Sequence, residues 1–173
     1  SDNGIEVLLS GRSNAGKSSA LNSLSDNKKL ARISKTPGRT TEINFFEVED
    51  GFKLLDLPGY GFAKSGRSRR KNWGPLLEEY FKNRQSLKAV LIFMDIRHPL
   101  KPIDLEMIKL CESFDIDYVV VLTKSDKVSK NISAKTIQQV SEAINAKEIL
   151  AISSLNKTGS DKLGKVLIGF KYE

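Results

Sequence analysis

The chain has 173 residues, a net charge of +7 and one cysteine. That length suits one domain spanning residues 1–173, able to bury about 70% of the surface its unfolded form exposes. Cys111 alone excludes an internal disulfide and suits a reducing cytosol, no apolar run approaches the ~20 residues of a membrane span, and the basic balance favours polyanions such as RNA if the cations cluster.

In chain order, "SDNGIEV" lies so close to the first strand that N-terminal trimming is expected. Ile5–Leu9 reads as a short buried strand, and "KSSALNSLS" follows with Ala20, Leu21 and Leu24 at helical spacing. Residues 28–41 lack periodicity and contain Pro37-Gly38, which predicts a loop. "EINFFEVEDGFKLLDL" predicts a hairpin around Asp50-Gly51. "PGYGFAKSGRSRR" reads as irregular, and a helix is expected from about Lys71 to Arg84, with Trp73, Leu76, Leu77, Tyr80 and Phe81 on its core face. "KAVLIFMDI" is continuously apolar, as a central strand is. A helix should start near Pro102, with Ile103, Met107, Ile108 and Leu110 apolar. "DYVVVLT", a helix over Ile132–Asn145, the strand "EILAIS" and a last helix with Leu163, Val166, Leu167 and Phe170 complete the chain. This alternation predicts an α/β fold: a mostly parallel sheet with one antiparallel strand, covered by helices on both faces. Ligands bind such sheets where strands end and loops begin.

"GRSNAGKSS" follows the first strand and matches G-x-x-x-x-G-K-[ST]. Glycines let backbone N–H groups converge on phosphate oxygens, and the next helix offers its N-terminus to the same anion. The expected cradle is Gly11, Arg12, Ser13, Asn14, Ala15, Gly16, Lys17, Ser18 and Ser19, with Lys17 on the terminal phosphates and the Ser18 hydroxyl on Mg²⁺. Asp56-Leu57-Pro58-Gly59 follows another strand, as a magnesium-side Asp-x-x-Gly element should. Asp56 would hold the metal through water, and the Gly59 N–H would meet the γ-phosphate. In "SKTPGRTT", Pro37, Gly38 and Arg39 lead to Thr40 and Thr41, which compete to cap Mg²⁺ and the γ-phosphate; Thr40 is favoured. Lys17, Thr40 and Gly59 are therefore the catalytic candidates, and Ser18, Thr40 and Asp56 the metal ligands.

Thr123-Lys124-Ser125-Asp126 ends the strand "DYVVVL" and resembles the Asn-Lys-x-Asp base-recognition element of GTPases. A carboxylate at Asp126 can accept from guanine N1–H and the N2 amine, whereas adenine would leave it unpaired. The Lys124 stem would pack on the base, and Thr123 in place of Asn should lose or alter one amide contact. Ser153-Ser154-Leu155 would complete the pocket through backbone N–H groups. An ATP-using P-loop enzyme is the competing chemistry; "TKSD" and the lack of an acceptor-substrate lid argue against it.

"GRSNAGKSS", "SKTPGRT", "INFFEV", "DLPGYGFA", "MDIRHPLK", "LTKSDK" and "SSL", in this order across nearly the whole chain, closely resemble the EngB/YihA/YsxC group of bacterial GTPases, within the TrmE–Era–EngA–YihA–Septin class. The resemblance implies a Ras-like P-loop GTPase fold, a three-layer α/β/α sandwich with a six-stranded sheet. It also implies a monomeric, cytoplasmic, GTP-binding protein serving assembly of the large ribosomal subunit, or alternatively a GTP-gated scaffold in cell division. The Thr of "TKSD" is normal within this group, whose members usually carry a longer N-terminal segment.

Tyr60 stands where many GTPases place a water-orienting Gln, so slow intrinsic hydrolysis is expected. Asn14 is a candidate to help hold K⁺ beside the phosphates, as in related potassium-dependent GTPases. Lys64, Arg67, Arg69, Arg70 and Lys71 form a cluster that would present cations to rRNA phosphates when GTP orders the loop. His98, the only histidine, reads as structural or partner-facing, not as a metal ligand.

Overall fold

A computed structural model describes residues 4–12, 15–25, 34–36, 44–49, 51–56 and 66–173. Seven strands form one sheet in the order β2-β3-β4-β1-β5-β6-β7. They are β1 (Ile5–Gly11), β2 (Ser34–Thr36), β3 (Asn44–Glu49), β4 (Phe52–Asp56), β5 (Leu87–Asp95), β6 (Asp117–Thr123) and β7 (Glu148–Ala151). The helices are α1 (Lys17–Ser25), α2 (Gly66–Asn83), α3 (Pro102–Ser113), α4 (Lys130–Ala143) and α5 (Ser160–Lys171).

Side-chain alternation along the strands divides the core in two. Val7, Leu9, Leu54, Leu91, Phe93, Val119 and Val121 pack with Ala20 of α1 and Leu163, Leu167 and Phe170 of α5. Leu8, Leu55, Val90, Ile92, Met94, Val120 and Leu122 point the other way, onto Leu77 and Phe81 of α2, Met107, Ile108 and Cys111 of α3, and Val140 of α4. Strands buried on both faces are continuously apolar for this reason, and the expected α/β/α sandwich is what forms. Burial pushes the Cys111 thiol up to about 12, so it behaves as a small apolar side chain.

The sheet differs from the sequence reading at its far edge. Residues 34–36, expected in a loop, form β2 and pair antiparallel with β3, Thr36 opposite Phe45 and Ser34 opposite Glu47. The sheet thus has seven strands, five of them parallel neighbours, with two antiparallel pairings. "SKT" carries no apolar alternation, and only backbone pairing makes it a strand. Helix α2 also begins at Gly66 rather than near Lys71 and runs through Pro75. Its first turns, "GRSRRK", hold no apolar residue, so periodicity could not reveal them. Arg67, Arg69, Arg70 and Lys71 accordingly sit on a helix, not on an irregular stretch. Farther along, Leu77 and Phe81 are buried and the Tyr80 hydroxyl donates to Glu6 Oε2 at 2.5 Å, which makes this face core. Glu6, on β1, is fully buried and is also paired with Arg84. Trp73 has a side chain outside the description.

Parallel order lines up the carboxyl ends of β1, β4, β5, β6 and β7. Gly11 lies opposite Phe93, Leu9 opposite Asp56, Asp95 opposite Thr123, and Leu122 opposite Ala151. β1 lies between β4 and β5: the chain fills the sheet on one side of β1 through β4 and then crosses to β5 on the other, and that reversal opens a crevice at those ends.

Candidate nucleotide site

Gly11 ends β1 against β5. A Cβ there would lie 2.9 Å from the Phe93 carbonyl oxygen, so the strand can turn into the loop only as glycine. The Ala15 N–H donates to Arg12 O at 2.9 Å, closing the turn. Gly16 has φ +78°, the left-handed region, and a Cβ on it would approach Thr123 Cβ to 3.2 Å. Helix α1 starts at Lys17, and its first intrahelical bond runs from Ala20 N–H to Gly16 O at 2.9 Å. The first turn ahead of that bond follows the carboxyl end of β1, so the positive end of the helix dipole lies at the crevice. This arrangement can cradle an anion.

The Lys17 ammonium, nearly buried, forms an ion pair with Asp56 at the end of β4. Asp56 Oδ1 is buried, and apart from that ion pair it has no hydrogen-bond partner among the described residues. A buried carboxylate oxygen in this state, with the Ser18 hydroxyl at the helix start, is a hard-oxygen donor set of the kind Mg²⁺ takes. No group of three or more His, Cys, Asp and Glu forms a metal cage among the described residues. The residues fit a Mg²⁺ that would share its ligands with phosphate oxygens.

Beside the cradle lies a cavity of about 530 Å³, walled by Gly16, Ser19, Thr123, Lys124, Asp126 and Leu155. Thr123 is 3% exposed, and its hydroxyl donates to the Ala15 carbonyl and lies 3.2 Å from Met94 O. Where one amide contact is expected to be lost or altered, the Thr123 hydroxyl ties β6 to the phosphate loop. Lys124 takes a left-handed backbone conformation, φ 60° and ψ 37°, ahead of a 3₁₀ turn over Ser125–Lys127. The Ser125 N–H donates to Ile152 O at 3.0 Å and holds that turn to the end of β7. Asp126 Oδ1 accepts from Ser153 Oγ at 2.7 Å, which fixes the carboxylate toward the cavity.

Ser153 contributes differently from expectation. Its N–H donates to Thr158 O at 2.9 Å, so the residue serves the pocket through its hydroxyl, leaving the Ser154 and Leu155 N–H groups for a ligand. The sequence reading missed Asn22, Ser23, Lys127 and Lys157 in the cavity wall. Helical spacing from Ser19 could have found the first two; nothing local points to Lys127 or Lys157. Ser13, Asn14, Pro37, Gly38, Arg39, Thr40, Thr41, Leu57, Pro58, Gly59, Tyr60 and Lys64 lie outside the described residues. His98 is exposed after β5, with its N–H on Asp95 O at 2.9 Å.

The family profile described as "50S ribosome-binding GTPase" matches residues 6–124. A "Probable GTP-binding protein EngB" of Salmonella paratyphi B is 50% identical over 171 residues, covering 96% of this chain and 81% of that protein. The chain belongs to the EngB family of GTP-binding proteins. An EngB relative from Tolumonas auensis is 47% identical over 170 residues, with 96% of this chain and 80% of its own length covered. Among solved structures, one described as a probable GTP-binding protein EngB superposes with a TM-score of 0.74 at 22% identity, covering 96% of this chain and 98% of that one. Aquifex aeolicus Era Y63A bound to GDP·AlF₄⁻ superposes at 0.67 and 20% identity, over 97% of this chain and 57% of that one. At such identities these two likenesses speak for the P-loop GTPase fold alone.

Proposed function

We propose that this chain binds GTP and hydrolyses it slowly, as a conformational switch in assembly of the bacterial large ribosomal subunit in the cytoplasm. The observation that carries the reading is the junction of the two half-sites. Thr123 fastens the base-side strand to the phosphate loop, and the adjacent Asp126 carboxylate is oriented by Ser153. A phosphate cradle and a guanine-selective acceptor thus share one rigid frame.

In this reading the N–H groups of Gly16, Lys17, Ser18 and Ser19 bind the phosphates, and Lys17 leaves Asp56 for the β- and γ-phosphate oxygens. Ser18, Thr40 and Asp56 would hold Mg²⁺, which when bound would neutralise phosphate charge. Asp126 accepts from guanine N1–H and N2–H, and Ser154 and Leu155 N–H groups face the base. The Gly59 N–H senses the γ-phosphate. Tyr60 cannot orient water as an amide does, so turnover is raised by K⁺ near Asn14 or by the ribosomal partner. The family description "50S ribosome-binding GTPase" supports that partner. The basic start of α2 supports rRNA phosphates as its target: Arg67, Arg69, Arg70 and Lys71 lie within two helical turns.

Co-sedimentation with large ribosomal subunits tests the switch: binding should be stronger with a non-hydrolysable GTP analogue than with GDP. Equal binding, or none, overturns it. Arg69→Ala with Arg70→Ala should flatten the salt dependence of that binding by about two units of log–log slope, and an unchanged slope removes α2 from the interface.

A further inference from the structure

Asp95 ends β5 directly opposite Thr123, the residue before Lys124. Its carboxylate is held on both oxygens. Oδ1 accepts from the Arg97 N–H at 2.9 Å and from Arg97 Nε at 3.0 Å, and Oδ2 accepts from Arg97 Nη2 at 2.8 Å. Such a fork fixes a carboxylate in position and direction as well as in charge. The Arg97 hydrogen bonds hold the Asp95 carboxyl well below the usual carboxylate range, so it stays anionic at any pH where the protein works. The same Oδ2 lies 3.4 Å from Lys124 Nζ. The Ile96 N–H donates to Thr123 O at 3.0 Å, which locks the two strand ends in register beneath these side chains.

Lys124 needs such help. A left-handed backbone is uncommon for a residue with a Cβ, and a four-carbon side chain has many rotamers. Its side chain lines the cavity between Thr123 and Asp126, so the rotamers that lay the methylene stem there must be held against the rest. Tethering the ammonium at one end and the left-handed Cα at the other selects those rotamers before a ligand arrives.

We propose that Asp95, clamped by Arg97, is a positioning residue for purine binding: it holds the Lys124 ammonium so that the stem forms the wall on which the base plane seats. This rests on the guanine-nucleotide reading above. Asp95 acts through Lys124 and not on the base edge, so it should govern affinity for purine nucleotides in general and leave the guanine preference to Asp126.

The test is a double-mutant cycle read by calorimetric titration of the magnesium-supplied protein with GDP and inosine diphosphate. Asp95→Asn keeps an acceptor for the Arg97 N–H but drops the charge, and Lys124→Met keeps the stem but drops the ammonium. Each single variant should weaken both nucleotides about fivefold, the scale of one partly exposed ion pair, and by the same factor for the two bases. The double variant should be no weaker than either single one. Multiplying losses would make Asp95 an independent structural residue and overturn the proposal, as would full affinity in Asp95→Asn. A loss that changed the ratio between the two bases would also overturn it. Absence of GDP binding by the parent chain would overturn both this proposal and the function it rests on, an outcome distinct from all the others.

Discussion

Replacing Thr123 with Val exchanges one hydroxyl for a methyl of nearly equal size. The side chain is 3% exposed, so no water enters to compensate. The hydroxyl donates to the Ala15 carbonyl and also lies 3.2 Å from the Met94 carbonyl. With one proton it serves one of these fully at a time, so Val removes one net hydrogen bond and leaves a buried carbonyl facing a methyl. Leaving a buried acceptor unpaired costs about 1–3 kcal/mol, more than the ~1 kcal/mol net worth of an ordinary hydrogen bond. The unfolding free energy in urea should therefore fall by about 1–3 kcal/mol, and the melting temperature by several degrees for a domain of this size. Thr123→Ser keeps the donor and should lose about 1 kcal/mol, from the deleted methyl. Because Ala15 leads into Gly16 and Lys17, GDP affinity should fall in Thr123→Val and hold in Thr123→Ser. A Val variant within about 0.5 kcal/mol of the parent, with unchanged GDP affinity, would refute the idea that this hydroxyl joins the half-sites.

Gly16→Ala should weaken GDP binding at least tenfold, since φ +78° strains any L side chain and the new methyl would press on Thr123; titration of GDP into the variant checks it. Asp126→Asn should turn preference from guanine to xanthine nucleotides, because an amide can donate to the xanthine O2 where the carboxylate accepted; competition between GDP and XDP reads this out, and unchanged preference rejects the base assignment. Asp104, at the start of α3, accepts the Lys101 N–H at 3.0 Å, and burial pushes its carboxyl up to about 6. The folded chain thus holds a proton that the unfolded chain releases near pH 4, so this group's contribution to stability is lost as pH rises from about 4 to about 6. Asp104→Asn keeps the acceptor without the titration, so its stability relative to the parent should improve by about 2 kcal/mol from pH 4 to pH 7 in urea unfolding; a difference independent of pH refutes the assignment.

Features that depend on near neighbours are legible in the residue order alone. "IEVLL", "VLIFMD" and "YVVVLT" could only be strands buried on both faces, and the glycines, Lys17 and the helix start behind them make one local device within nine residues. The "TKSD" turn was equally legible as a turn, and it forms as a left-handed Lys124 followed by a 3₁₀ turn over Ser125–Lys127. The helices over Pro102–Ser113 and Ser160–Lys171 were marked by apolar spacing. Tertiary structure decided everything that joins distant segments. The chain does not say that Thr123 reaches Ala15, that Ser153 spends its N–H on Thr158 and its hydroxyl on Asp126, or that Asp95 meets Lys124. Each depends on parallel strand order, which sets the carboxyl ends side by side. Strand β2 and the start of α2 escaped for a related reason: "SKT" and "GRSRRK" bury no apolar stripe, so backbone pairing and helix continuation decide their form, and neither leaves a pattern in residue type.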